Sequence, residues 1–266
     1  MVDGFGRQID YLRVSVTDRC NLRCRYCMPA GGVKLLSHDQ ILSLEEIVEV
    51  ARAAVPLGIT KVRLTGGEPL VRDGITELVR MLSRIEGIRD LTMTTNGVLL
   101  GRRARRLADA GLQRVNVSLD ALDSDRYREI TGGGDVCDVL EGIDAARSAG
   151  LAPVKLNCVV SASADEPDAR AVSAFARDNG LAVRFIHRMD LSSGTFAPVE
   201  GGSGGHCATC SRLRLSSDGQ VRPCLFSDLA FSVRQLGPEQ ALLLAIRNKP
   251  KSGGPCSHNW MHGIGG

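Results

Sequence analysis

No run in the 266 residues approaches the roughly 18 consecutive apolar positions of a membrane span, and the first residues lack the unbroken apolar core of an export signal. Export and insertion are therefore not expected, and the reading is of a cytoplasmic protein without a membrane partner. Net charge is scarce as well: 33 Lys and Arg against 30 Asp and Glu leave +3, too little to imply nucleic acid as a partner. The chain has no internal repeat and no low-complexity tract of functional weight. An even cysteine count is also missing. Nine cysteines, six of them in two tight groups, suit metal ligation in a reducing compartment better than a disulfide framework. With 43% hydrophobic and 24% charged residues, the composition is that of an ordinary globular protein, long enough for one large α/β domain or two small ones.

What is present is a rhythm. Short β-rich runs (YLRVSV, KVRLT, DLTMTT, RVNVSLD, VKLNCVV, LAVRFIHRM) alternate with helical patterns. The first helix opens on Ser43 and Glu46, which form a capping box, and others are expected near 74–86, 101–110, 124–149 and 168–179. Six such units imply parallel βαβ connections with right-handed crossovers. They are too few to close an eight-stranded barrel, so the expected fold is α/β: a partial, TIM-like (β/α)6 barrel over residues 1–190. In such sheets chemistry collects at the carboxyl ends of the strands. There the sequence places a cysteine loop, GGEP, TTNG and SLD, after the first four strands in turn. Residues 191–266 read as a C-terminal region laid against the barrel, with a Gly- and Ser-rich loop, short strands and a helix near 236–247.

Cys20, Cys24 and Cys27 follow a C-x3-C-x2-C spacing. Such a loop can direct three thiolates at three irons of a cubane cluster, with Asn21 and Arg23 helping to turn the backbone. A zinc site with a distant fourth ligand is the alternative on spacing alone. Cys207, Cys210 and Cys224 form a second trio, C-x2-C-x13-C, whose intervening residues read as strand, Asp-Gly turn and strand. Here a zinc knuckle completed by His206 or Cys256 stands beside the cluster reading. Cys137, Cys158 and Cys256 have no motif partners and are expected to be buried or partly buried thiols.

The first loop resembles the signature of radical S-adenosylmethionine (SAM) enzymes, in which the fourth iron of a [4Fe–4S] cluster binds the amino and carboxylate groups of SAM. Tyr26 matches the aromatic usually found between the last two cysteines, and Gly66, Gly67, Glu68 and Pro69 match the motif after the second strand. The resemblance further implies SAM contacts from Thr94, Ser118, Lys155 and Asn157, with Lys155 facing the carboxylate. Together with the second trio and the terminal GIGG, the chain is similar to the MoaA family, the GTP 3′,8-cyclases of molybdenum-cofactor biosynthesis. That family implies two [4Fe–4S] clusters, with GTP binding the open iron of the second through its guanine edge.

A nucleoside triphosphate carries about four negative charges, and arginine's planar fork suits phosphate oxygens. Arg13, Lys61, Arg63, Arg184, Arg212 and Arg214 match the basic positions of the family's substrate site. Arg212 and Arg214 share a strand face, and with Gly265 and Gly266 of the tail they are the residues expected to act in the reaction. By the same resemblance, SAM cleavage gives a 5′-deoxyadenosyl radical that takes hydrogen from C3′ of GTP, and C3′ then adds to C8. A low-potential electron donor, a downstream cyclic pyranopterin monophosphate synthase and a possible homodimer follow as expected partners. Two features depart from the family: the segment before the second trio is short, and His187-Arg188 stand where an acidic and an apolar residue are more usual. Another radical SAM substrate and a non-catalytic metal-binding sensor are the alternative readings.

Overall fold

The computed structural model describes residues 1–28, 31–257 and 264. One sheet of nine strands organises them, in the order β6-β5-β4-β3-β2-β1-β7-β8-β9. The strands β1 (Tyr11–Ser15), β2 (Lys61–Thr65), β3 (Asp90–Thr95), β4 (Arg114–Ser118), β5 (Lys155–Val160) and β6 (Ala182–His187) pair in parallel, each with the next. Parallel neighbours need crossover segments. The helices α1 (Leu44–Ala54), α2 (Ile75–Ser83), α3 (Ala104–Asp109), α4 (Ser124–Thr131), α5 (Val136–Ser148) and α6 (Pro167–Asp178) provide them. β6 ends the sheet at one edge, so the barrel is open as expected.

Capping chemistry sets several boundaries. Ser43 Oγ accepts from Glu46 N (3.1 Å) while Glu46 Oε2 accepts from Ser43 N (2.7 Å), the reciprocal box that starts α1. The helical stretch expected over 124–149 is two helices. Gly132 ends α4 in the left-handed region at φ +66°, and the Asp135 side chain starts α5 by accepting from Cys137 N.

The strands alternate. Leu12 and Val14, Val62 and Leu64, Leu91 and Met93, and Val115 and Val117 are buried, and they join the apolar faces of the helices in one core. Each such Leu, Ile or Val contributes about 1.5–3 kcal/mol relative to exposure. The intervening positions are polar and lie on the opposite, inner face.

Beyond residue 190 the chain extends this sheet. β7 (Arg212–Leu215) pairs in parallel with β1, and β8 (Gln220–Arg222) and β9 (Phe231–Ser232) follow antiparallel. β7 and β8 are the expected hairpin, turning at Gly219 with φ +83°. A short helix α7 (Val233–Leu236) and then α8 (Pro238–Arg247) follow, and α8 packs on α1. Among the described residues no helix is long and apolar enough to cross a membrane.

Candidate active site

The loop after β1 carries the first trio. Cys27 N and Met28 N both donate to Cys24 O (3.0 and 2.9 Å), which bends the chain so that the cysteines lie on one compact turn. Arg23 holds the turn through its guanidinium, with Nη1 donating to Cys20 O (2.6 Å) and Leu22 O (2.8 Å). Asn21 Oδ1 accepts from Asn96 Nδ2 (2.9 Å), which ties the loop to the end of β3. The expected roles of Asn21 and Arg23 in shaping the backbone are thus visible. The GGEP turn lies directly on the same loop: Gly67 N donates to Thr17 O and Glu68 N to Arg19 O, both at 2.8 Å.

Glu68 is buried, and its oxygens accept from Leu70 N (3.0 Å), Thr95 Oγ1 (2.7 Å) and Asn96 N (2.7 Å). Burial nonetheless raises its carboxyl to about 7, the three donors only moderating the shift. The folded state therefore binds an extra proton between the unfolded value of 4.5 and about 7, and Glu68 lowers stability as pH rises through that window. In the cluster-free protein, Glu68→Gln should remove a pH-dependent loss on the order of 3 kcal/mol. Urea midpoints at pH 5 and 7.5 for wild type and variant measure it; an unchanged difference between the two pH values would refute the assignment.

Tyr26 OH donates to Asp120 Oδ2 (2.6 Å), and Asp120 Oδ1 accepts from Val159 N (2.7 Å). Asp120, 5% exposed, thereby clamps the cysteine loop to the ends of β4 and β5. It was passed over in the sequence, although its place in SLD at a strand's carboxyl end was the available signal.

The second trio lies at the mouth of a cavity of about 600 Å³ that enters the barrel; Cys207, Cys210 and Cys224 all line it. So do Arg13, Lys61, Arg63, Arg184, Arg212 and Arg214, the six basic residues picked out in the sequence. The register explains their convergence. Arg63, Arg13 and Arg214 stand directly opposite one another across β2, β1 and β7, and Lys61, Tyr11 and Arg212 form the next inward row. Like charges facing across strands are destabilising. Burial, and then the neighbouring arginines, bring Arg13 down to about 9 and Arg214 to about 10. Such a wall is what an anionic ligand would relieve. Arg63 is occupied by neutral partners, Tyr11 OH (2.5 Å) and Thr94 Oγ1 (3.2 Å). The buried Nε of Arg184 has no hydrogen-bond partner among the described residues.

Of the residues expected to contact SAM, Thr94 and Asn157 line this cavity. Ser118 pairs in register with Asn157, and Lys155 with Asn116, on the same inward rows. Tyr11 and Asn116 also line the cavity and were missed; each lies two positions from a residue that was chosen, so strand periodicity was the signal. Gly265 and Gly266 lie outside the described residues.

The thiols differ between the two sites. Burial pushes Cys24 up to about 12 and Cys27 to about 11, so positive charge must be supplied before they ionise. At Cys210 burial acts in the same direction, but Lys249, Arg212 and Arg214 outweigh it and the thiol is lowered. All nine cysteines are free. Among the described residues no three His, Cys, Asp or Glu side chains converge on a single ion. A cubane cluster differs from a zinc ion in placing each thiolate on its own iron. A second cavity, of about 570 Å³, adjoins Cys20 of the first trio, while all three cysteines of the second line the larger one; the free thiols of each trio are the donor set such a group takes. Cys256 donates to Leu191 O and Leu225 O instead of joining the second trio. Cys158 is buried as expected; Cys137 is exposed, because it sits in the solvent-facing first turn of α5.

The open parallel barrel and the cysteine loop after its first strand define a radical SAM domain, and residues 14–166 match the model of the radical SAM superfamily. The GTP 3′,8-cyclase of Moorella thermoacetica is 42% identical across 99% of this chain and 96% of its own length; that of Thermodesulfovibrio yellowstonii is 43% identical across 89% and 88%. The chain belongs to the GTP 3′,8-cyclase family. The Moorella match runs over 311 positions, so that relative has at least 45 residues without a counterpart among the 266 here. Among solved structures, anSMEcpe with bound AdoMet superposes with a TM-score of 0.62 at 15% identity, covering 91% of this chain and 81% of that one. Streptococcus suis SuiB bound to its precursor peptide SuiA gives 0.59 at 19%, covering 70% and 40%. These two likenesses concern the fold.

Proposed function

We propose that the protein converts GTP to 3′,8-cyclo-7,8-dihydro-GTP, the first step of molybdenum-cofactor biosynthesis. The observation that carries this reading is the cavity that six basic side chains, Arg63 and Arg214 buried among them, line together with the second cysteine trio. A triphosphate neutralises such a wall, and the trio offers an iron site to the base at the other end.

Cys20, Cys24 and Cys27 hold one [4Fe–4S] cluster and Cys207, Cys210 and Cys224 the other. When bound, the clusters and SAM supply the electron transfer and radical chemistry. The protein's own residues do the rest. Tyr26 and Asp120 fix the first loop; Gly66, Gly67 and Glu68, with Thr94, Ser118, Lys155 and Asn157, orient SAM. Arg13, Lys61, Arg63 and Arg184 bind the phosphates, while Arg212 and Arg214 orient the nucleotide beside the second trio. Sheet and helices exclude water from the reacting carbon. Gly265 and Gly266 act in the reaction by resemblance to the family. The protein works in the cytoplasm, takes electrons from a low-potential donor, passes its product to a cyclic pyranopterin monophosphate synthase, and pairs as a homodimer.

Anaerobic incubation of the reconstituted protein with SAM, reductant and each ribonucleoside triphosphate tests the activity. GTP alone should be consumed, with 5′-deoxyadenosine formed. 5′-Deoxyadenosine without a changed nucleotide would move the substrate elsewhere on the same scaffold.

A further inference from the structure

The second trio is spread over two segments far apart in sequence, Cys207–Cys210 and Cys224. Cys207 and Cys210 share one 3-10 turn, Cys210 N donating to Cys207 O (3.2 Å), whereas Cys224 follows the end of β8. What joins them is a lysine from a third segment. Lys249, just beyond α8, is 3% exposed, and its Nζ donates to Arg212 O (2.7 Å) and Pro223 O (2.6 Å). Arg212 follows Cys210 by two residues, and Pro223 immediately precedes Cys224. The same ammonium also interacts with the sulfurs of Cys210 and Cys224. A protonated lysine has three N–H donors and no acceptor. Two carbonyls use two of the three.

The lysine is itself anchored. Arg7, buried and paired with Asp3 (2.6 Å), donates through Nη2 to Pro250 O (2.7 Å) and through Nη1 to Lys251 O (3.1 Å) and Cys207 O (2.9 Å). Two buried cations thus join both cysteine-bearing segments and the 249–251 stretch through backbone carbonyls. At the first site the cation on backbone carbonyls is the exposed Arg23, and the Asp120 carboxylate acts through Tyr26.

We propose that Lys249 is a positioning residue of the second cysteine site: it joins the two cysteine segments and places a fixed positive charge against their sulfurs. The proposal rests on the two-cluster reading. A cation so placed stabilises the reduced, more negative cluster and makes it easier to reduce.

The test uses the full chain with Cys20, Cys24 and Cys27 replaced by alanine, so that only the second cluster is read. Iron content, circular dichroism and a redox titration followed by electron paramagnetic resonance are compared with Lys249 intact, Lys249→Met and Lys249→Arg. Methionine keeps the length and loses the donors and charge. It should bind about four irons at a midpoint shifted negative by at least tenfold in the reduced-to-oxidised ratio, about 59 mV for one electron. Loss of iron with unchanged circular dichroism would support the same role. In either case Lys249→Arg should restore most of the effect. Lys249→Met with full iron at the parent's midpoint overturns the proposal, as does loss of the folded dichroism signal or failure of arginine to rescue. If the parent itself, Lys249 intact, binds no four-iron cluster, the two-cluster reading fails first and the proposal with it.

Discussion

Replacing Cys207, Cys210 and Cys224 together by alanine should leave SAM cleavage to 5′-deoxyadenosine in place and abolish GTP conversion, whereas the same change at Cys20, Cys24 and Cys27 should abolish both. The asymmetry follows from where the two trios sit. The cavities beside them have no lining residue in common. The first trio depends on contacts from α4, β3 and the GGEP turn, the second on β7, β8 and the 249–251 segment. Alanines at the second site therefore leave the first loop's hydrogen bonds intact, yet they remove the anchor for one end of the nucleotide. Phosphate contacts alone leave the ribose without a fixed orientation, and misplacement is costly in a reaction that depends on aligning one C–H bond. GTP turnover should fall by more than about a thousandfold, equivalent to about 4 kcal/mol of barrier. Product and 5′-deoxyadenosine are quantified from the same anaerobic reaction. Substantial cyclised nucleotide from the second-site variant, at an iron content of one cluster, would refute this division of labour.

Much of this was legible because the strands alternate. Parallel strands covered on both faces usually read as continuous apolar runs. Here Y-L-R-V-S, K-V-R-L-T and R-V-N-V-S alternate, since one face meets helices and the other lines a polar chamber. Arg13, Lys61 and Arg63 were chosen by resemblance to the family's basic positions, and the alternation explains why they share one face. The pairing of β7 with β1 was not legible, because it joins segments some two hundred residues apart and no local pattern encodes a partner. The hairpin itself was, through its Asp-Gly turn. Lys249 escaped for a related reason: it acts through contacts to carbonyls made by the fold and leaves no spacing to read, whereas Asp120 was signalled by its place in SLD. The break between α4 and α5 was available in Gly132-Gly133-Gly134, which a continuous helix would not tolerate cheaply.

Gly67→Ala should disable the first site more completely than its single added methyl suggests. Gly66 and Gly67 match the family motif in the sequence; the structure supplies a physical reason, close approach to the cysteine loop. A Cβ at Gly67 would stand 2.4 Å from Arg19 O, 2.7 Å from Arg19 C and 2.9 Å from Asp18 O. All three are backbone atoms, so no rotamer change relieves the clash, and the residue directly after Arg19 is Cys20. Either the loop moves or the turn does. In the second case the Gly67 N–Thr17 O and Glu68 N–Arg19 O bonds break and Glu68 is pulled from Thr95 and Asn96. Overpacking costs about 1–3 kcal/mol and each lost bond about 1 kcal/mol. For a chain of this size each kcal/mol lowers the melting temperature by about 2–4 °C. The expected variant melts lower by roughly 5–10 °C and binds SAM at least about tenfold more weakly, a difference of about 1.4 kcal/mol. Its 5′-deoxyadenosine yield falls about a hundredfold, near 2.7 kcal/mol. Gly101→Ala is the control, because its Cβ would meet nothing nearer than Gly142 N at 3.9 Å. If both variants melt, bind SAM and cleave it alike, then the GGEP turn does not position the cysteine loop, and the glycines act on the ligand alone.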